Sequence, residues 1–200
     1  MATKEKEEVD AARRCFLRRA TTTVGGIGLA AASIPFISYW MPSKDTEAMG
    51  APVTVDISTL QPTQQLTISW RGQPIWIIYR TEDMLAGLPR LTDQLRDPNS
   101  DEDQQPIYAK NIHRSIKPNI FVAVGVCTHL GCIPNYRPDI AGISPDWLGG
   151  FYCPCHGSRY DLAGRVYKGV PAPLNLKIPR HMYVSDKEIV IGKDQEGEEE

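Results

Sequence analysis

The sequence predicts an all-β fold: a small antiparallel domain of about 140 residues, preceded by one membrane-spanning helix. Three observations predict it. Residues 20–42 carry no charge, short segments from residue 53 onward alternate apolar and polar with period two, and turn-forming pairs separate those segments. A chain of 200 residues accommodates one core-bearing domain with appendages. A formal net charge of -2 with no dominant basic stripe argues against nucleic acid as a partner.

Residues 1–19 concentrate Lys4, Lys6, Arg13, Arg14, Arg18 and Arg19. A helix over residues 20–42 would exceed the roughly 30 Å of a bilayer's hydrocarbon core, with Tyr39 and Trp40 as interfacial anchors at its far end. The positive-inside rule then keeps residues 1–19 cytoplasmic and the remainder outside, in a single-pass arrangement. Ala30-Ala31-Ala32 offers the alternative of a cleavable secretory signal, whereas the apolar run through Ile34, Phe36, Ile37, Tyr39 and Trp40 favours an uncleaved anchor. Arg13-Arg14-Cys15-Phe16-Leu17-Arg18 is similar to a twin-arginine export signal, with Ala12 where Ser or Thr is usual. Cys15 is expected to be inert. Gly25, Gly26 and Gly28 with the three alanines either admit a neighbouring helix or simply pack poorly.

Residues 43–52 lack apolar periodicity and end in Gly50-Ala51-Pro52, so they read as a flexible tether. Residues 53–57 alternate as a half-buried strand. Residues 66–70 and 75–79 flank Arg71-Gly72-Gln73-Pro74 as a hairpin. Residues 81–85 open a short helix with acidic residues in its first turn, and the polar stretch 91–105 reads as an exposed excursion. Residues 121–126 form a buried strand, residues 182–184 and 188–191 a last hairpin, and 193–200 a solvated acidic tail. The β domain is thus expected over residues 53–192.

Two loops carry the chemistry: Cys127-Thr128-His129-Leu130-Gly131-Cys132 and Cys153-Pro154-Cys155-His156-Gly157-Ser158. Each offers thiol and imidazole at short spacing, a set that suits tetrahedral zinc or one kind of iron–sulfur cluster. Two matched loops, each with a deep Cys and a His near its tip, favour a cluster over a single ion. His113 and His181 have no cysteine partner nearby and are expected to be surface or satisfied core histidines.

Over these two loops the chain resembles the Rieske 2Fe-2S proteins of the quinol–cytochrome c reductase type. The likeness extends to the anchor, the tether, and residues 164–169 and 171–176, although Val170 separates Gly169 from Pro171 where the family often reads Gly-Pro-Ala-Pro. The resemblance implies a β-sandwich whose cluster-binding part spans about residues 121–176, holding a 2Fe-2S cluster. Cys127 and Cys153 would bind the inner iron, and His129 and His156 the outer one. Cys132 and Cys155 would form a disulfide. Ser158 would donate to a bridging sulfide and Tyr160 to a ligand sulfur, while Leu130 would shield the histidine edge and Pro171-Ala172-Pro173 would cover another side.

The function implied is electron and proton uptake from ubiquinol, with His156 as the quinol contact and His129 beside it, and delivery to a c-type cytochrome. The resemblance further implies activity only as a subunit, with cytochrome b and a c-type cytochrome, in a dimeric, proton-translocating complex of the bacterial inner membrane, the β domain being periplasmic. Three other readings remain at this point: a Rieske component of another exported oxidoreductase such as arsenite oxidase, a plastoquinol-oxidising relative, and a non-redox zinc-binding β domain. Residues 133–138 look more like the ubiquinol type than the plastoquinol one.

Overall fold

The structure, a computed structural model, describes residues 10–197, so Lys4, Lys6 and the three glutamates at 198–200 lie outside the described residues. The chain divides into two compact units, residues 1–47 and 48–200.

The first unit is dominated by α1 (Ala11–Ser38), whose 28 residues give a length of about 42 Å. It starts ahead of the charge-free stretch because Asp10 caps it, its carboxylate accepting from the N–H groups of Ala12 and Arg13. The hydroxyls of Thr21, Thr22 and Ser33 each donate to a carbonyl four residues back at 2.8 Å, which hides polar groups on an apolar rod. No residue of α1 is buried by protein, and the helix is long and apolar enough to cross a membrane. The segment expected to be irregular is partly helical instead: α2 spans Lys44–Gly50, and Ser43 Oγ accepts from the Thr46 N–H at its start. A side-chain cap, not periodicity, starts this helix.

The second unit holds three three-stranded antiparallel sheets: β1 (Val53–Asp56), β9 (Glu188–Ile191) and β8 (His181–Ser185); β2 (Gln65–Trp70), β3 (Gln73–Tyr79) and β4 (Ile120–Val124); and β5 (Asn135–Arg137), β6 (Gly150–Tyr152) and β7 (Arg159–Asp161). The β2–β3 loop is two residues long, with Arg71 at φ 49° and Gly72 at φ 72°, the left-handed pair that matches strand twist in a tight hairpin.

Alternation along β3 and β4 explains the layering. Ile75, Ile77, Val122 and Val124 pack with Val55, Ile189 and Ile191 of the first sheet. Trp76, Ile78, Phe121 and Ala123 point the other way, onto Phe151 and Tyr160 of the third. The middle sheet is therefore buried on both faces, and the sheet that bears the second Cys loop rests on it. Short α3 (Glu82–Gly87) is capped by Thr81, whose hydroxyl accepts from the Met84 N–H.

Two expectations need correction. The stretch 91–105 is not simply exposed: Leu91 and Leu95 are buried in the core, and Leu95 bridges Tyr167. Nor is residue 194 part of a solvated tail, since Asp194 is buried and paired with Arg180. Sequence reading also missed three buried cations. Arg80 donates five hydrogen bonds, to the carbonyls of Pro118, His113 and Leu162 and to Ser115 Oγ. Arg114 holds the Ala163 and Gly164 carbonyls, and Arg165 pairs with Asp161 at 2.7 Å. Burial pulls Arg80 down to about 9 and Arg114 to about 10, so both stay charged at neutral pH.

Candidate metal centre

The first loop follows β4 and the second joins β6 to β7. Their backbones repeat one pattern. The Cys127 N–H donates to the Cys132 carbonyl at 2.7 Å and the Cys153 N–H to the Ser158 carbonyl at 2.8 Å; the Gly131 N–H returns to the Cys127 carbonyl and the Gly157 N–H to that of Cys153. In both loops the fifth residue is a left-handed glycine, at φ 83° and 75°. A side chain there would strain the turn. Two six-residue loops of one shape thus face each other, each opening on a cysteine.

Depth follows from that shape. Cys127 and Cys153 are each 2% exposed, whereas His129 is half-buried and His156 exposed. The two imidazoles meet edge to face with centroids 4.8 Å apart. Burial pushes the Cys153 thiol above its ordinary range, and the adjacent Cys127 sulfur adds to the rise while the Cys155 and His156 N–H groups oppose it. Neutral buried thiols of this kind become good ligands once a cation offsets the desolvation of the thiolate.

Cys132 and Cys155 are joined by a disulfide. The sulfurs of Cys132, Cys153 and Cys155 lie within 4.8 Å of one another, but two of them are consumed in that bond. Free thiols remain, among the described residues, only at Cys15, Cys127 and Cys153.

One hydroxyl reaches a buried sulfur, and a second, buried one lies in the same loop region. The Tyr160 hydroxyl lies 3.2 Å from Cys127 Sγ, and burial raises its pKa far above the ordinary tyrosine range, so it keeps its proton. Ser158, fully buried, accepts from the Ala172 N–H at 3.0 Å, which leaves its own proton available. That bond also fastens the Pro171-Ala172-Pro173 loop, whose preceding Val170 fits into the core and whose two prolines stay exposed.

Thr128 was not singled out from sequence, yet it links three parts. Its N–H donates to the Tyr160 oxygen at 3.1 Å, its hydroxyl lies 3.1 Å from the same oxygen, and that hydroxyl donates to the Leu174 carbonyl at 2.7 Å. A hydroxyl between a Cys and a His was the available signal. Leu130 is 72% exposed at the tip beside His129. His113 and His181 lie elsewhere: His181 is buried with Nδ1 on the Pro179 carbonyl and, among the described residues, no partner for Nε2, and the His113 Nδ1 atom is likewise buried without one.

Two inner thiols, two outer imidazoles and the Tyr160 hydroxyl against a thiol sulfur make a donor set that fits a Rieske-type [2Fe–2S] cluster.

A family model described as the Rieske [2Fe-2S] domain matches residues 102–180. A second, described as the "Ubiquitinol-cytochrome C reductase Fe-S subunit TAT signal", matches residues 3–43. The ubiquinol-cytochrome c reductase iron-sulfur subunit of Allochromatium vinosum is 51% identical over 189 residues, covering 94% of this chain and 91% of that one. The subunit of the same name from Rhodospirillum rubrum is 42% identical over 185 residues, covering 92% and 93%. The mitochondrial cytochrome b-c1 complex subunit Rieske of Mus musculus is 39% identical over 198 residues, covering 96% of this chain and 64% of its own length.

Proposed function

The chain belongs to the family of ubiquinol-cytochrome c reductase iron-sulfur subunits, and from that premise we propose which residues do the work and where. As a Rieske subunit of a cytochrome bc-type oxidoreductase, it works beside cytochrome subunits. Cys127 and Cys153 would hold the inner iron, His129 and His156 the outer one, and His156 would meet ubiquinol. The observation that carries this reading is the pair of matched loops, thiols inside and imidazoles outside.

When bound, a cluster with two imidazoles in place of thiolates accepts one electron at about -150 to +300 mV, against about -400 mV for all-cysteine plant-type ferredoxins, which suits a quinol donor. The chain's own residues set the rest. Tyr160 would donate its proton to the Cys127 sulfur, and Ser158, whose proton is not used by its bond from the Ala172 N–H, would donate toward a bridging sulfide, both favouring the electron-rich state. In its deprotonated form, the His156 ring nitrogen not used as a ligand would accept the proton of the quinol hydroxyl. The reduction potential is accordingly expected to fall as pH rises above neutrality; redox titrations across pH that give a flat line would remove this coupling.

The α1 helix spans the bacterial inner membrane once, with its arginine-rich end cytoplasmic and the β domain in the periplasm, in contact with lipid and within a dimeric, proton-translocating complex. Residues 43–52 would tether the β domain, which would carry the electron from the quinol site to a c-type cytochrome. Activity resides in the complex. The deciding experiment is electron paramagnetic resonance on reduced membranes, with and without a quinol-site inhibitor. A rhombic cluster signal that shifts with inhibitor is expected; a lone zinc without acid-labile sulfide would overturn the reading.

A further inference from the structure

The loop between β2 and β3 makes an attachment that the metal centre does not use. The Trp70 indole N–H donates to the Ala51 carbonyl at 2.9 Å, and the Arg71 Nε–H donates to the Gly50 carbonyl at 3.1 Å. The Arg71 guanidinium also lies over the Trp70 ring, 4.6 Å from its centroid. Two consecutive carbonyls at the end of α2 are those that a helix terminus leaves without internal partners. Here side chains far along the chain take both.

The holder itself is rigid. Trp70 is 6% exposed and packs with Ile75, Ile189 and Ile191 in the core between the first two sheets. Gly192, at φ 96°, comes so close that a Cβ on it would meet the indole at 2.5 Å. Arg71 sits in a tight two-residue turn. Immediately beyond the held carbonyls, Pro52 ends any helix and Val53 enters β1 opposite Ile191.

We propose that the Trp70–Arg71 turn is a clamp that fixes where the movable tether ends: Gly50 and Ala51 belong to the β domain, and only residues 43–49 are free to change shape. The inference deepens the tethered-carrier reading and rests on it for its relevance to turnover. Seven movable residues reach at most about 23 Å when extended, and releasing Gly50 and Ala51 would add about 7 Å. A longer tether dilutes the domain around its docking sites, roughly as the -3/2 power of length, so release should slow turnover by about 1.5-fold.

The test is hydrogen exchange followed by mass spectrometry on the full complex, comparing wild type with Arg71→Ala and Trp70→Phe. The second variant keeps an aromatic ring in the core and deletes only the N–H and the second ring. A peptide covering residues 47–56 is expected to exchange roughly three- to tenfold faster in both variants, as loss of one backbone-holding bond allows. Peptides from β3 and β4 and the reduced-state resonance spectrum should stay as in wild type. Arg71 is exposed, so its removal does not disturb the core; if Trp70→Phe speeds exchange in β3 and β4, Arg71→Ala alone decides. Wild-type exchange at residues 47–56 overturns the clamp, whatever the turnover. Faster exchange with unchanged ubiquinol–cytochrome c turnover leaves the clamp standing and counts against the tethered-carrier reading instead.

Discussion

Tyr160 has one proton and two acceptors within reach, and that competition would set how strongly it acts on the proposed cluster. Thr128 gives its own hydroxyl proton to the Leu174 carbonyl, so toward Tyr160 it only accepts; the other acceptor is Cys127 Sγ. A thiolate outcompetes a hydroxyl as acceptor. Tyr160→Phe should therefore lower the reduction potential by roughly 40–80 mV, equivalent to losing about 1–2 kcal/mol of preference for the reduced state, with the cluster retained. Ser158→Ala should act in the same direction and also free the Ala172 N–H. Redox titration monitored by the resonance signal measures both, and unchanged potentials would reduce these residues to packing. His181 makes a prediction about stability. Its burial pulls it down to about 4, against the Pro179 carbonyl, so the fold holds it neutral while the unfolded chain protonates near 6.5. The unfolded state binds the extra proton between those values, so stability present above about pH 6.5 is lost as pH falls, by about 2 kcal/mol between pH 7 and 5. His181→Phe should flatten that slope in urea titrations. The buried Arg165–Asp161 pair is the most sensitive contact near the site, since Asp161 also accepts from the Ala163 and Arg165 N–H groups; Asp161→Ala should cost about 3–5 kcal/mol in the same assay.

Elements whose signals are local were legible. The β2–β3 hairpin announced itself through Arg71-Gly72, and α3 through Thr81 followed by acidic residues, because turn conformation and capping depend on a few adjacent side chains. The helix at Lys44–Gly50 was not legible: no apolar face repeats, and only the Ser43 cap hinted at it. Seven residues are too few for a helix to persist unaided, so this segment is held by its ends. Ala48→Pro removes a backbone donor from its middle and should slow turnover while leaving the cluster spectrum unchanged; full activity would argue against a moving tether. The stretch 91–105 misled for another reason. Leu91 and Leu95, four residues apart, are its anchors in the core, but polar neighbours such as Thr92, Asp93 and Gln94 masked them. Ordered, charged interior residues left no trace at all. Nothing in the local sequence distinguishes Arg80 or Arg114 from a surface arginine, because the backbone carbonyls they hold lie more than thirty residues away in chain for Arg80 and about fifty for Arg114.

At the scale of the molecule, the metal centre was more legible than the scaffold beneath it. Cysteine and histidine at fixed spacing are demanded by coordination chemistry, whereas a sheet buried on both faces can be built from many apolar choices. The two Cys loops rise from different sheets, β4 of the middle one and β6–β7 of the third, so their facing positions depend on the core of Trp76, Phe121 and Phe151. The disulfide ties the loops directly, across 23 residues of chain. On the chain-entropy account, reducing it should lower stability by about 3.5 kcal/mol; thermal unfolding with and without reductant measures this, and an unchanged midpoint would mean the sheets alone hold the loops. Its location has a further consequence. Cys155 faces solvent and Cys132 is half-exposed, while the other two loop cysteines, Cys127 and Cys153, lie inside. The staple sits on the outer rim of a pouch, where an external oxidant can fasten it without touching the contents, so filling and sealing can occur as separate operations.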